Sequence, residues 1–468
     1  MRRTSDSMPS VTATTLFFAS VHFLQASLIP LVQDEAYYTL WSRDLDWGYY
    51  DHPPMIAWWI AAGRAVFGET ELAVRLISVL AISSLGIMGA AVAYIHGSDE
   101  RSARIAALFT NGTVAVFGLG FVATPDAPSA FFWMLAVLAA LKATQRDGNR
   151  SWMWWVILGA SAGAGVISKL TGLFLGVGLV AWLLGTVAGR RWLRRPEPWI
   201  SGLIAFTVIT PYLTWNYSVD WLGFERQLGR VRSNGFTPNN IAGYLALVPL
   251  VVSPMIAWAA ARSIKSAKTI LLLLNLPVLA YFLWHSTHAQ VQGNWLIPLC
   301  APLAAIAAIH TFNWGARRIY LATGVGPLIV SVLLALAFLP GARFGTADNP
   351  PNQTIGWADT SSEISSLIEA VGAEWIATDH YGLAGLFSWY LNIEVRDLKE
   401  TYRYSFIEPL ENSFCARPGL LILRNKFVED DALYSNLRSL GVILRQSAGK
   451  TLALYHVYAF DSRMECAS

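Results

Sequence analysis

Acidic and aromatic side chains are concentrated in one stretch of this largely apolar sequence, from Gln33 to Trp59. Its acids and histidine are Asp34, Glu35, Asp44, Asp46, Asp51 and His52, and its rings belong to Tyr37, Tyr38, Trp41, Trp47, Tyr49, Tyr50, Trp58 and Trp59. A carboxylate can remove a proton from a hydroxyl group, whereas Tyr and Trp rings often lie at the headgroup level of a bilayer. The stretch is therefore a candidate catalytic loop, and an aromatic membrane belt beside a solvated acidic loop is the alternative.

Two further polar segments precede apolar helices. Asp126 lies in a proline-rich turn, where it is either a functional carboxylate or the N-cap of the next helix. Lys169 lies in the segment SKLTG, where it either extends to the membrane surface or binds an anionic headgroup. The sequence leaves both pairs of alternatives open.

Cations and histidines mark two later loops. Arg226, Arg230 and Arg232 fall in one loop and suggest a specific anion, because guanidinium groups bind phosphate well. His285 and His288 are spaced i, i+3, so a divalent metal is an alternative, although two histidines alone are weak support. No glycine-rich phosphate loop follows a predicted strand, so neither nucleotide nor nucleic acid is expected as a partner.

The composition indicates the protein class that must position these groups. Of 468 residues, 54% are hydrophobic and only 14% are charged, about half the charged share of ~25% in soluble domains. Charged residues are roughly twice as frequent in residues 341–468 as in residues 1–340. We therefore expect a transmembrane domain over residues 1–340, with its first external loop at 31–70, and a water-soluble domain over residues 341–468.

Apolar segments long enough to span a bilayer predict about eleven transmembrane helices. They cover residues 11–30, 73–95, 104–122, 127–143, 152–167, 170–188, 199–216, 241–261, 269–285, 295–312 and 319–340. We interpret the first as an uncleaved helix rather than a signal peptide. Most Lys and Arg residues of this part fall on the side of the N-terminus, which predicts a cytoplasmic N-terminus and a periplasmic C-terminal domain.

Shorter elements are also predicted. Residues 34–46 can form an amphipathic helix on the membrane surface, and the Pro53–Pro54 pair can open another helix. In the C-terminal domain, a helix over 359–372 with Asp359 or Thr360 as cap and Gly372 as stop is expected. Strands are expected at 374–379, 419–424, 441–446 and 451–459. Cys415 and Cys466 both lie in this α/β domain, where an oxidising compartment permits a bridge.

Together the polar segments suit a reaction at the outer membrane face. Cations would bind the phosphate of an amphipathic lipid, aromatic rings would contact a sugar, and a carboxylate would deprotonate an acceptor hydroxyl. A phosphate leaves readily once its charge is neutralised, so one base suffices, whereas glycosidases usually also need an acid.

Several motifs carry a resemblance to a known family. DEAYY at 34–38 with YYDHPP at 49–54 resembles the first external loop of GT-C glycosyltransferases of the protein-mannosyltransferase and aminoarabinose-transferase type. TPDAP at 124–128, SKLTG at 168–172 and GNWLIPLCAPLAAI at 293–306 resemble further motifs of that superfamily, and IATDHYGLAGLFSWYL at 376–391 is similar to the external domain of its bacterial branch. The resemblance touches most of the chain and is greatest to enzymes that modify lipopolysaccharide.

The resemblance implies an inverting, periplasmic, membrane-embedded transferase that uses a polyprenyl-phosphate sugar. It implies Asp34 as general base, with Glu35 and Asp51 as further catalytic residues. Contacts to the donor phosphate or sugar are predicted for His52, Tyr37, Tyr50, Asp126, Lys169, Arg226, Arg230 and His288. Aminoarabinose transferases carry a lysine where this chain has His52 and an arginine where it has Tyr37, so Lys169 or the loop arginines would bind the phosphate and the sugar need not be aminoarabinose.

These expectations define the partners and the competing functions. The expected partners are membrane lipids, the polyprenyl-phosphate sugar donor, and a glycolipid or glycan acceptor such as lipid A or lipopolysaccharide core. The protein itself is expected to be a monomer in the inner membrane. A transporter or flippase for an anionic lipid is the alternative from another class, although transporters usually bind substrate near the midplane between repeated halves. A protein O-mannosyltransferase and a non-catalytic glycan-binding protein are the remaining alternatives.

Overall fold

The computed structural model describes residues 8–97, 99–145, 149–232, 236–339, 349–391, 393–407, 412–426 and 431–464. The chain divides into two compact units. The membrane unit comprises Met1–Ala26, Asp51–Trp59 and Arg75–Ser331, and the mixed unit comprises Ser27–Tyr50, Ile60–Val74 and Val332–Ser468. The mixed unit thus combines the C-terminal residues with two segments that precede α4 in the chain.

Helices form most of the chain up to residue 337. The first twelve are α1 (Val11–Leu28), α2 (Gln33–Trp41), α3 (Met55–Phe67), α4 (Glu71–Gly97), α5 (Glu100–Asn111), α6 (Val114–Leu119), α7 (Asp126–Gln145), α8 (Asn149–Val166), α9 (Leu173–Gly185), α10 (Val187–Trp192), α11 (Glu197–Ser218) and α12 (Leu222–Arg232). The next five are α13 (Asn239–Val252), α14 (Pro254–Ser263), α15 (Thr269–His285), α16 (Ile297–His310) and α17 (Ala316–Ala337). The helix expected after the double proline is α3, which confirms that expectation.

Among the described residues, five helical stretches are long and apolar enough to cross a membrane. They are α1, α4, α7, the stretch Gly293–Asn313 that contains α16, and α17. Helices α13 and α14 form a sixth candidate span if taken together, but they are bent by 97° at Ser253. The other predicted segments form helices that are shorter or less apolar. The predicted segment 104–122 is interrupted between α5 and α6. Each of the eleven expected spans therefore corresponds to a helical region, but within the described part of the chain only the stretches named above are both long and apolar enough to cross a membrane.

The membrane unit has a continuous apolar core. Small residues such as Ala136, Ala139 and Ala140 of α7 are fully buried in it, together with large side chains such as Trp133 and Trp155. Small residues at helix contacts allow close approach, which is the usual way in which membrane helices pack. The cluster includes α16, whose Cys300 is a buried free thiol.

The mixed unit contains a five-stranded sheet. Its remaining elements are α18 (Pro350–Gln353), α19 (Trp357–Val371), β1 (Trp375–Thr378), α20 (Tyr381–Tyr390), β2 (Glu394–Asp397), α21 (Asn412–Cys415), β3 (Gly419–Leu423), β4 (Tyr434–Ser435), β5 (Arg438–Ser447), β6 (Lys450–Phe460) and β7 (Ser462–Arg463). The strand order is β2-β1-β3-β6-β5, parallel over the first three and antiparallel over the rest, and β4 pairs with β7. The four predicted strands are confirmed, whereas β2 and α20 were not expected.

Two local expectations for this unit had different outcomes. Helix α19 ends at Gly372 in the left-handed region (φ 67°), as expected of a glycine stop. The expected caps were wrong, because the helix begins at Trp357 after the left-handed Gly356 and so includes Asp359 and Thr360. Cys415 is buried and disulfide-bonded, and Cys466 lies outside the described residues.

Candidate active site

Helix α2 carries the acidic pair Asp34 and Glu35 in its first turn. The Glu35 carboxylate is fully buried and accepts the backbone N–H of Val32 at 3.2 Å, which satisfies a donor at the helix start. The neighbouring Asp34 is exposed. Both negative charges are favourable at a helix N-terminus. The two acids therefore differ in surroundings: Glu35 holds the helix start, and Asp34 presents its carboxylate to solvent.

Helix α2 packs against α20 within the mixed unit, and two glycines permit the contact. A Cβ on Gly385 would lie 2.6 Å from the backbone nitrogen of Tyr37, and one on Gly382 would lie 2.8 Å from the side chain of Gln33. Eight of the nine residues of α2 are buried. The expectation of an amphipathic helix over residues 34–46 was wrong, because the helix ends at Trp41 and is buried on nearly all sides, in part by α20.

This packing brings a C-terminal tyrosine to the first acid. The Tyr381 hydroxyl donates a hydrogen bond to Oδ1 of Asp34 at 3.0 Å. The Tyr381 ring contacts Tyr37 edge to face at 5.1 Å between centroids, and the guanidinium carbon of Arg403 lies 4.5 Å from the Tyr381 centroid. The Tyr37 hydroxyl in turn donates to the backbone oxygen of Arg403 at 3.0 Å. The hydroxyl that contacts Asp34 thus belongs to a ring that packs against both Tyr37 and Arg403.

Arg403 is itself fixed in place. Only 6% of the residue is exposed, and its Nε donates to the Glu400 carboxylate at 2.7 Å. Asp397, at the end of β2, accepts the backbone N–H groups of Lys399 and Glu400 at 2.9 and 3.3 Å and so holds the following turn. Burial raises the pKa of the Asp397 carboxyl to about 6, although these hydrogen bonds oppose the change.

The other aromatic residues of the loop form a cluster within the mixed unit. Trp41 and Tyr49 are stacked at 4.4 Å, and the Tyr49 hydroxyl donates to the backbone oxygens of Trp41 and Asp44 at 3.0 Å. The pKa of the Tyr49 hydroxyl is raised, and burial is the main cause. Tyr50 is half-buried against the Tyr402 ring at 4.6 Å. These rings form part of a core, which argues against the membrane-belt alternative for them.

Asp126 and Lys169 form a buried ion pair within the membrane unit. The Lys169 ammonium donates to Oδ1 of Asp126 at 2.5 Å, and the side chains are 12% and 3% exposed. The Asn294 amide donates to the other oxygen, Oδ2, at 2.7 Å. The Lys169 ammonium also lies 5.7 Å from the centroid of the Trp295 ring. Three motifs far apart in sequence therefore meet here.

A second ion pair of the membrane unit involves Asp51. Arg226 donates from Nε to Oδ1 of Asp51 at 3.3 Å, and Gln227 donates to the Asp51 backbone oxygen at 2.5 Å. His52 follows and is half-buried. The backbone N–H of Met55, the first residue of α3, donates to the oxygen of Ile167 at 3.2 Å, next to the SKLTG segment. The loop before α3 is thus tied to two other parts of its unit.

The remaining predicted site residues lie apart from these pairs or outside the described part. His288 is half-buried, and its Nδ1 lies 2.7 Å from the Thr287 hydroxyl oxygen. The side chains of Arg230 and Arg232 lie outside the described residues. Among the residues that the structure describes, no group of three or more His, Cys, Asp or Glu side chains is placed to hold a metal ion.

Sequence reasoning did not identify all of the residues that contact the predicted site residues. It did not single out Tyr381, Arg403, Asn294 or Gln227 as site residues. Tyr381 and Asn294 both lie inside the family-like segments at 376–391 and 293–306. That membership was the available signal for these two residues. Gln227 directly follows Arg226 in the arginine-containing loop, whereas nothing local to Arg403 marks it.

The sequence is similar to one family model and to several curated proteins. The family model described as dolichyl-phosphate-mannose-protein mannosyltransferase matches residues 51–215. Lipid A galacturonosyltransferase RgtD of Rhizobium johnstonii is 27% identical over 364 residues, which cover 74% of this chain and 75% of that protein. An undecaprenyl phosphate-α-4-amino-4-deoxy-L-arabinose arabinosyl transferase of Pseudomonas fluorescens is 26% identical over 61% of this chain and 57% of that protein.

A solved structure has the same architecture over nearly the whole chain. The crystal structure of ArnT from Cupriavidus metallidurans bound to undecaprenyl phosphate matches with a TM-score of 0.69 and 15% identity, covering 96% of this chain and 97% of that one. At this identity the likeness concerns the fold, a multi-pass helical membrane protein with a C-terminal domain. The family model and the curated relatives thus show a resemblance to glycosyltransferases of the protein-mannosyltransferase and aminoarabinose-transferase type, and the solved structure shows the same fold.

Proposed function

We propose that the chain transfers a sugar, with inversion, from a polyprenyl-phosphate donor to a lipid or glycan acceptor, with lipid A or lipopolysaccharide core as the favoured acceptor. The relatives support this proposal, because their names specify lipid A and undecaprenyl phosphate-linked aminoarabinose. The observation in this chain that carries it is Asp34, an exposed carboxylate in the first turn of α2.

Asp34 acts as the general base in this proposal. Its carboxylate accepts the proton of the acceptor hydroxyl while that oxygen forms a bond to the anomeric carbon. The bond between the anomeric carbon and the phosphate oxygen breaks, and the polyprenyl phosphate leaves with the electron pair. Attack from the face opposite the phosphate inverts the anomeric configuration. Glu35 assists by holding the helix start that presents Asp34.

Cations of the membrane unit assist departure of the phosphate. Lys169 and Arg226 are assigned to the donor phosphate, because charge-assisted hydrogen bonds stabilise the developing negative charge. Each is held by a carboxylate, Asp126 or Asp51. This arrangement sets the orientation of the cation before the donor arrives. His52, Tyr50, Arg230 and His288 remain assigned to donor contacts, and Tyr37 supports the site through its packing.

The remaining assignments follow the same proposal. The protein acts as a monomer in the inner membrane, with its N-terminus in the cytoplasm and its C-terminal domain in the periplasm. The family description favours one second candidate, a protein O-mannosyltransferase, in which the acceptor hydroxyl belongs to Ser or Thr. Mass spectrometry of envelope glycolipids and periplasmic proteins, from cells with and without the gene, separates them by which fraction loses a sugar.

The test of the base is Asp34→Asn in purified protein reconstituted with polyprenyl-phosphate sugars. The rate should fall by about 10²–10⁴-fold, because the amide cannot accept the proton. Asp44→Asn is the matched control, since Asp44 is an exposed aspartate of the same loop, and it should retain the wild-type rate. Full activity of Asp34→Asn would refute the assignment.

A further inference from the structure

We infer that Tyr381, in the C-terminal part of the chain, is a positioning residue for the proposed base. Its hydroxyl donates to Oδ1 of Asp34 at 3.0 Å. This hydrogen bond fixes the rotation of the carboxylate that accepts the proton of the acceptor hydroxyl. The inference rests on the proposed function and gives the C-terminal domain a direct part in the reaction.

The Tyr381 hydroxyl is held in position by its ring contacts. Tyr37 contacts the ring edge to face at 5.1 Å, and the Arg403 guanidinium lies 4.5 Å from its centroid. Such contacts restrict a ring, and a cation over an aromatic face adds about 0.5–2 kcal/mol. The Tyr404 hydroxyl also donates to the Tyr381 backbone oxygen at 3.4 Å. The hydroxyl is therefore directed at Asp34 by groups on several elements of the same unit.

The backbone of Tyr381 is fixed as firmly as its ring. It is the first residue of α20, and the glycines at positions 382 and 385 allow α20 to lie directly on α2. The side chain of His380 caps the helix by accepting the backbone N–H of Gly382 at 3.2 Å. The start of α20 and the start of α2 are thus locked together, which sets the distance between the two side chains.

An exposed aspartate gains from such a partner. A carboxylate on a helix surface rotates among several orientations, and a base that must meet a hydroxyl within about 2.6–3.2 Å is productive in few of them. A fixed hydroxyl removes that freedom before the acceptor arrives, which is how positioning increases rates.

The experiment compares Tyr381→Phe with wild type in the reconstituted transfer assay. Phenylalanine keeps the ring contacts to Tyr37 and Arg403 and removes only the hydroxyl. We expect kcat to fall by about 10–100-fold with the donor KM unchanged, since the lost contact orients the base and not the donor. The acidic limb of the pH–rate profile should move to higher pH, because the ionised carboxylate loses a hydrogen bond.

Tyr458→Phe is the matched control. It also removes a tyrosine hydroxyl from this unit, one that donates to the backbone oxygen of Lys426 at 2.8 Å, and it should change neither kcat nor the pH profile. An unchanged kcat and pH profile in Tyr381→Phe would overturn the inference, as would an equal loss in the control. A fall in kcat without movement of the acidic limb would also overturn it, because that result indicates a purely structural effect.

The failure of this inference is distinguishable from failure of the proposed base. If Asp34→Asn is inactive while Tyr381→Phe equals wild type, only the positioning role is refuted. If Asp34→Asn is fully active, the base assignment fails whatever Tyr381→Phe does. In the double variant the tyrosine change should add no further loss, because residues that act through one another are non-additive.

Discussion

Asp34 and Asp126 are acids at the starts of two helices, but their surroundings divide their roles. Asp126 is buried, and the Lys169 ammonium and the Asn294 amide each donate to one of its oxygens at 2.5 and 2.7 Å. Asp34 is exposed, and a neutral hydroxyl from Tyr381 donates to one oxygen at 3.0 Å. Both oxygens of the Asp126 carboxylate are thus engaged by donors of the membrane unit. The motifs imply Asp34 as the base and Asp126 as a donor contact, and the exposure of Asp34 beside the burial of Asp126 points in the same direction.

The largest effect on stability should come from breaking the buried pair. Asp126→Ala leaves the Lys169 ammonium buried without its counter-charge, which typically costs about 3–5 kcal/mol. We expect the variant to unfold at a clearly lower temperature in detergent, as measured by intrinsic fluorescence. Any loss of transfer activity should result from the smaller amount of folded protein and from the loss of the carboxylate that orients Lys169.

Two controls sharpen this contrast. The double variant Asp126→Ala, Lys169→Met removes both charges and should recover much of the lost stability. Asp34→Ala should change stability by less than about 1 kcal/mol, as expected of an exposed charge at a helix start, although it abolishes transfer. Equal destabilisation by Asp34→Ala and Asp126→Ala would contradict the division of roles.

Local pattern made much of the fold predictable. The apolar segments, the helix after the double proline and four strands follow from periodicity and composition over a few residues. The number of full-length spans did not follow, because interruptions such as the one between α5 and α6 depend on packing. The start of α19 was missed because the left-handed Gly356 precedes it, and neither Asp359 nor Thr360 was needed as a cap.

The partners of Asp34 could not be predicted because they are distant in sequence. Tyr381 is separated from Asp34 by 347 positions, and no pattern within either segment encodes their pairing. A weak signal was present in the glycines at positions 382 and 385. A glycine within a helix costs about 1 kcal/mol relative to alanine, so two of them one turn apart indicate a close contact. The segment that α20 contacts was still not deducible.

That close contact can be tested by an intermediate perturbation. In Gly385→Val, the added side chain would meet the backbone of Tyr37 at 2.6 Å, so α2 and α20 must separate. Overpacking of this kind costs about 1–3 kcal/mol, and the transfer rate should fall because Tyr381 moves away from Asp34. Thermal unfolding and the transfer assay measure the two effects.

Gly202→Val in α11 is the control for the change of residue type. A Cβ at Gly202 meets nothing within 4 Å, so this variant should keep both the melting temperature and the rate. A Gly385→Val protein with wild-type rate would show that the reaction does not depend on how α2 and α20 pack.

The smallest effect is expected within the acidic pair itself, from Glu35→Gln. The glutamine oxygen can still accept the backbone N–H of Val32, because Glu and Gln both serve at this position of a helix start. The change removes a negative charge near the helix N-terminus, which is worth about 0.3–1 kcal/mol. The transfer rate of Glu35→Gln should change by less than about two-fold, whereas the rate of Asp34→Asn should fall far more. If Glu35→Gln and Asp34→Asn lost transfer rate to a similar extent in the same reconstituted assay, Glu35 would be a participant in proton transfer. The distinction between the exposed acid and the buried acid would then no longer hold.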